Sequence, residues 1–307
     1  MSEIILHHYD ASPFSEKVRL VLGRKGLAWR SALQPNMMPK PELVPLTGGY
    51  RRIPVLQIGA DVYCDSQRIV RELERLHPAP TLYPDGSEGI CFALNLWADR
   101  MLFQAAVPVV FGKIGPAVPK EFIEDRRRLM GGGDFAAFIS AAPLFAEQLR
   151  AHVSLLEAQL SDGRSFLLGG EPSLADFAGY HPVWFLRAIA PAAAALAEFS
   201  GVGKWAERVA AIGHGRRSEI APAEALAIAR NARPLAGTGV ARGEPNGLAL
   251  GERVNVVPDD YGFDPVAGEL VAADVHEVAV RRTSPETGEV VVHFPRAGFR
   301  VTRAVGS

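Results

Sequence analysis

Three short stretches carry side chains whose types and spacing can do chemistry. In YDASPFSEKVRL (Tyr9 to Leu20), Ser12 stands directly before Pro13, where an apolar strand gives way to a helical pattern. Proline suits the first helical position. A serine ahead of it either caps the helix or points its hydroxyl at something held on the positive helix end. In CDSQRIV, Asp65 and Ser66 open another helical pattern, offering a hydroxyl and free N–H groups to a carboxylate and an acid to an ammonium. RRIPVL sets Ile53-Pro54 immediately before a strand, with Arg52 ahead of it. The other candidates read as structural. Cys64 and Cys91 form no CxxC pair and no disulfide framework, and Cys64 reads as a buried strand residue. His7-His8 is the one adjacent pair among eight histidines, and neighbours on a strand face opposite sides, so no metal site is expected.

These residues need elements to hold them. Residues 3–9 read as a strand, and Phe14, Val18, Val21 and Leu22 form one face of the helix that follows, with Gly26 placed as a left-handed cap. Ser15 falls on the exposed first turn of that helix. Residues 27–33 can form a second strand, and 34–50 a loop rich in Pro and Gly. Val55 to Ile58 and Val62 to Cys64 flank Gly59-Ala60-Asp61 as a hairpin, and the next helix buries Ile69, Val70, Leu73 and Leu76 before His77-Pro78 stops it. The order β-α-β-(α)-β-β-α over residues 1–80 is that of a thioredoxin-like α/β domain.

Residues 87–231 show only helical periodicity, clearest in the stripe Phe145, Leu149, Val153, Leu156 and Leu160. EPSLADF is a capping box of Ser173 and Asp176, a structural assignment for that acid. Arg126-Arg127-Arg128 fall in a helical pattern with Phe122 and Leu129 and read as a solvated face. Residues 232–247 are linker-like. Beyond them, runs at 253–257, 269–273, 277–281, 289–294 and 299–302 predict a small all-β tail over 248–307, barrel-like or a curled sheet. The fold class is therefore α/β plus all-α, with a β tail.

With 307 residues, 48% hydrophobic and 22% charged, the chain can bury a substantial core. A formal net charge of −1 gives no global reason to bind nucleic acid or an anionic membrane, so neither is an expected partner. No stretch approaches the ~18 apolar residues of a membrane span, and no basic leader opens the chain. Sparse, unpaired cysteines point to the cytoplasm.

A thioredoxin-type half joined to a helical half resembles the soluble glutathione transferase superfamily, and the local motifs agree. SPFSEKVRL after the first strand looks like the branches that use serine there. RRIPVL resembles the segment whose proline is cis, CDSQRIV the acidic-Ser pair opening the third helix, and PSLADF the capping motif of the helical half. The resemblance covers residues 3–230 and leaves the tail outside.

The resemblance implies glutathione as co-substrate, a thiolate attacking an electrophilic, mostly apolar small molecule, a role in detoxification, and a homodimer. An unperturbed thiol titrates near 8.5, so a thiolate at neutral pH needs a shift of ~2 units, about 2.7 kcal/mol. A hydrogen bond to a charged acceptor supplies roughly 1.5–3 kcal/mol and a helix end about 0.3–1. One hydroxyl at a helix start is about sufficient, which makes Ser12 the expected catalytic donor and Tyr9 the second choice. Ile53 beside Pro54 would pair its backbone with the cysteinyl part. Asp65 and Ser66 would take the γ-glutamyl end, and Arg52 and Lys40 the glycyl carboxylate. Relatives that work on disulfides carry cysteine at the Ser12 position. Its absence here excludes a mixed disulfide at that place and favours conjugation, dehalogenation, ether cleavage or isomerisation. The second substrate is expected near Trp97, Arg100, Met101 and Gln104. The alternative is a weakly catalytic or non-catalytic module for glutathione or a protein partner. The tail can cover the cleft, mediate assembly or bind a partner.

Overall fold

The computed structural model describes residues 3–304. Strand β1 (Ile5–His8) leads into helix α1 (Pro13–Arg24), which Ser12 caps from an extended conformation with Pro13 in the first turn. β2 (Ala28–Leu33), α2 (Val44–Thr47), β3 (Val55–Ile58), β4 (Asp61–Cys64) and α3 (Ser66–Leu76) complete the thioredoxin-like order. β1 pairs in parallel with β2 and antiparallel with β3, and β3 turns back into β4.

The helical half begins with α4 (Glu88–Trp97), which passes through one wide π turn at Ala98–Leu102 into α5 (Phe103–Ile114). Then follow α6 (Lys120–Leu129), α7 (Phe135–Ser140), α8 (Ala142–Gln159), α9 (Leu174–Arg187), α10 (Ala190–Ala193) and α11 (Ser200–Ala210). The predicted stripe buries Leu149, Val153, Leu156 and Leu160 along α8. Asp176 closes the capping box of α9 and also accepts from the Leu167 N–H at 2.7 Å and the Trp205 indole at 2.8 Å, a purely structural set of bonds. No described helix is long and apolar enough to cross a membrane.

Successive strand residues face opposite sides, and here each side has its own core. Leu56 and Tyr63 pack with α1, α3 and the helical half, whereas Val55, Val62 and Cys64 point to the other side. That second face is covered by the chain after α11. β5 (Arg216–Glu219) pairs in parallel with β2, inside a region where only helices were expected. Its four residues are polar and exposed, so no apolar alternation marks it. α12 (Pro222–Asn231) and the short β6 (Gly239–Val240) lead to β7 (Arg253–Pro258), β8 (Val266–Ala273), β9 (Glu277–Ser284), β10 (Gly288–Pro295) and β11 (Phe299–Arg303).

These five tail strands match the predicted runs, but they do not close into a barrel. β10 docks in parallel on β4, pairing Val292 with Val62, and makes one continuous sheet of order β11-β7-β8-β9-β10-β4-β3-β1-β2-β5. The reason lies in the thioredoxin-like half. β4 offers an unpaired edge, and the apolar face made by Val55, Val62, Leu43 and Leu46 packs against Val256, Val280, Val292 and Phe294. The tail and the thioredoxin-like half therefore share a core.

Candidate active site

A cavity of about 710 Å³ opens where α1, α5, α6 and the β7–β8 loop meet. Ser12 lines it from the start of α1, 2% exposed. Its Oγ accepts the Ser15 N–H at 3.3 Å, and a hydroxyl that accepts one bond can still donate another. Capping and donation are compatible at this position. The Phe14 N–H has no partner among the described residues, which leaves one helix-end donor beside the hydroxyl. Tyr9 also lines the cavity; burial raises its phenol pKa, against the pull of Arg126 and a hydrogen bond with Ser12. Ser15, expected on an exposed turn, is instead buried, because the helical half packs over that side of α1.

The Ile53-Pro54 peptide is cis. Among the described residues, the Ile53 N–H and C=O form no hydrogen bond, and Ile53 lines the cavity beside Ser12. Opposite lies a cationic group. Lys40 is 3% exposed and has no ion-pair partner among the described residues. Burial, with Arg126 and Arg51 close by, pulls its pKa down to about 8. Arg51 and Arg126 both pair with Asp125, whose carboxylate also accepts the Met38 N–H at 3.1 Å. Three cations against one carboxylate leave the corner positive. Sequence reasoning missed Arg51 and Arg126. Arg126, read with its neighbours as a solvated face, instead lines the cavity with Phe122 and Leu129, while Arg127 and Arg128 pair outside with Glu124 as that reading expects.

Asp65 and Ser66 sit at the start of α3 as expected. Asp65 caps the helix by accepting the Gln67 N–H at 3.0 Å, and holds φ 71°, a left-handed conformation that costs a non-glycine residue roughly 1–3 kcal/mol. Burial raises its pKa, with the Gln67 bond and Arg52 opposing. The pocket in front of these two residues measures only about 20 Å³. Tyr261, from the β7–β8 loop, walls it together with Arg52, Ile53 and Pro54. Arg52, expected at the glycyl carboxylate, lines both the large cavity and this pocket and also holds the loop. Its guanidinium pairs with Asp260, donates to the Tyr261 carbonyl and lies 3.7 Å over the Tyr261 ring.

The rest of the cavity is apolar, walled by Phe103, Phe111, Phe122, Phe135, Phe185 and Phe263. Of the four residues expected at the second substrate, Gln104 lines it and Trp97, Arg100 and Met101 do not. The helix runs through the π turn into α5, and Asp99, Phe103, Val107 and Phe111, spaced four residues apart, line the cavity. Trp97 packs on His152, Arg100 bonds Asp259 at 2.5 Å, and Met101 is 55% exposed. Beneath the cavity Asp99 is held by Lys17 at 2.7 Å and His181 at 2.9 Å. No group of three metal-ligating side chains occurs among the described residues.

Residues 6–81 match the glutathione S-transferase N-terminal domain, and residues 123–208 the glutathione S-transferase C-terminal domain. A GST-like protein from Pseudomonas syringae is 40% identical, with a TM-score of 0.83 over 99% of this chain and 100% of that one. FtsZ-localized protein A from Caulobacter vibrioides is 30% identical over 191 residues, 57% of this chain and 74% of that protein. A Tau class glutathione S-transferase from mango shares the fold at 18% identity, with a TM-score of 0.53 over 68% of this chain and 89% of that one. The chain belongs to the glutathione transferase superfamily.

Proposed function

We propose that the protein is a serine-type glutathione transferase, in which Ser12 donates to the glutathione sulfur and holds it as the thiolate for attack on an apolar electrophile. The observation that carries this reading is the Ser12 hydroxyl, capped onto the Ser15 N–H at the helix start and lining the large cavity beside Ile53. Ile53 supplies the free backbone pair for the cysteinyl part, and Lys40, with Arg51 and Arg126, takes the glycyl carboxylate. Tyr9 steadies the Ser12 hydroxyl from the side. The phenylalanine-lined part of the cavity holds the electrophile, and its breadth suits flat or branched apolar molecules. A homodimer in the cytoplasm, as in the family at large, completes the reading.

Ultraviolet difference spectra of bound glutathione test it. Wild type should show the thiolate at pH 7, whereas Ser12→Ala should raise the bound thiol's pKa by about 1–2 units and cut kcat/KM roughly ten- to hundredfold. Equal ionisation in both proteins would remove Ser12 from the role. One observation favours a second reading, a module that binds but hardly turns over: Tyr261 walls and narrows the pocket before Asp65 and Ser66. The similarity to FtsZ-localized protein A fits that reading too, as a partner-binding use of the fold. Glutathione binding without turnover of any electrophile would select it.

A further inference from the structure

The charged groups on the wall of the large cavity are unevenly paired. Arg52 answers Asp260, and Asp99 is held by Lys17 and His181. Lys40, Arg51 and Arg126 remain on the wall, and the one carboxylate among them, Asp125, is not itself part of it. With glutathione in place, the glycyl carboxylate balances a second of the three charges and one is left over. The negative charge of the sulfur is lost once it has bonded to the electrophile, so the surplus persists in the conjugate. Arg126 is the cation placed to use it. Two of its five N–H groups go to Asp125, at 2.8 Å, and to the Asn36 carbonyl, also at 2.8 Å, and no other bond of its guanidinium is found among the described residues. The guanidinium lies 4.2 Å over the ring of Phe122, one of the phenylalanines that wall the apolar part of the cavity. Its charge also reaches Tyr9, which hydrogen-bonds Ser12. Arg126 therefore borders both the sulfur position and the aromatic chamber.

We propose that the electrophile this cavity takes is an apolar body bearing one carboxylate, and that Arg126, with Arg51 beside it, recognises that carboxylate. The assignment rests on the glutathione reading of the cavity, in which Ser12 holds the sulfur and Lys40 the glycyl carboxylate. A wholly apolar electrophile would leave the surplus cation shut in among phenylalanine rings without a counter-charge, which is costly in a medium that screens poorly. A carboxylate removes that cost, and its two oxygens match the planar fork of a guanidinium. A single surplus charge suits a monoanion; a phosphate dianion would overshoot it.

S-benzylglutathione and its ortho-, meta- and para-carboxy forms differ only by the carboxylate, and none has a thiol to titrate. Titration calorimetry of the full chain at neutral pH should find at least one carboxy isomer bound about tenfold or more tightly than the parent. Arg126→Gln should bring that advantage below about threefold. Arg126→Lys keeps the charge without the fork and should retain part of it, which guards against a folding defect in the glutamine variant. The comparison is a ratio within each protein, so a change in affinity for the glutathione part cancels. A wild type that binds the parent and gains nothing from any isomer overturns the carboxylate site and leaves the glutathione site standing. An advantage that Arg126→Gln leaves unchanged overturns the role of Arg126. A wild type that binds neither the parent nor any isomer overturns the glutathione reading and the inference with it.

Discussion

A buried ammonium without a carboxylate partner is costly, and its usual remedy is a depressed pKa or a bound anion. Lys40 has the first, at about 8, and the cavity gives it room for the second. Asp125 does not neutralise it, because that carboxylate is engaged by Arg51 and Arg126. The sign of the resulting pH dependence follows directly. A ligand carboxylate needs the protonated amine, so affinity is full well below pH 8 and falls as pH climbs through it. S-methylglutathione is the suitable probe, since its sulfur does not titrate. Its own ammonium titrates alike in every protein tested, so comparison with Lys40→Met isolates the lysine. The variant should bind about 1.5–3 kcal/mol more weakly at pH 6.5 and lose the decline near pH 8. A wild-type affinity flat from pH 6.5 to 9 would place the carboxylate elsewhere.

The seam between β4 and β10 is the element that fixes the tail, and a buried histidine lies across it. His293 on β10 meets Asp61 of β4 at 3.0 Å and Glu277 of β9 at 2.7 Å, while its ring stacks on Tyr63 with centroids 4.5 Å apart. Arg68 of α3 faces the same group, pairing with Glu277 and lying over Tyr63. Burial lowers the imidazole pKa, but the bonds to Asp61 and Glu277 and the charge of Glu277 outweigh it and the opposing Arg68, so the value ends above 6.5. A folded pKa above the unfolded one stabilises fully below about pH 6.5 and is lost as pH rises through the folded value. His293→Gln keeps a donor but no charge. It should lower stability by about 1–3 kcal/mol near pH 6, with the gap in thermal midpoint narrowing toward pH 9. A gap that stays constant over this range would show that the imidazolium is not what joins the strands.

Over the whole molecule, what the sequence makes legible is local and periodic. The strand–Ser12–Pro13 step, the Asp65-Ser66 cap and the five tail strands all announce themselves within a few residues, whereas the cis bond at Pro54 is implied only by the family resemblance. What it hides is assembled from afar. Arg126 joins Lys40 from another domain, Tyr261 reaches Asp65 across nearly two hundred positions, and neither carries a pattern that names its destination. The same distance effect concealed the tail's dependence on the rest of the fold. Removing residues 232–307 would uncover Leu43, Leu46, Tyr50, Val55 and Val62 on one face and leave the β4 edge unpaired. At about 1.5–3 kcal/mol per large side chain, that is on the order of 8–15 kcal/mol, as much as the ~5–15 kcal/mol that stabilises a typical domain. The chain ending at Asn231 should therefore aggregate through its bare edge or bind a hydrophobic dye strongly, and show no cooperative melting by calorimetry. A soluble 1–231 chain that melts cooperatively within a few degrees of the full protein would make the tail an independent attachment, and would require another surface to cover the face of β3 and β4.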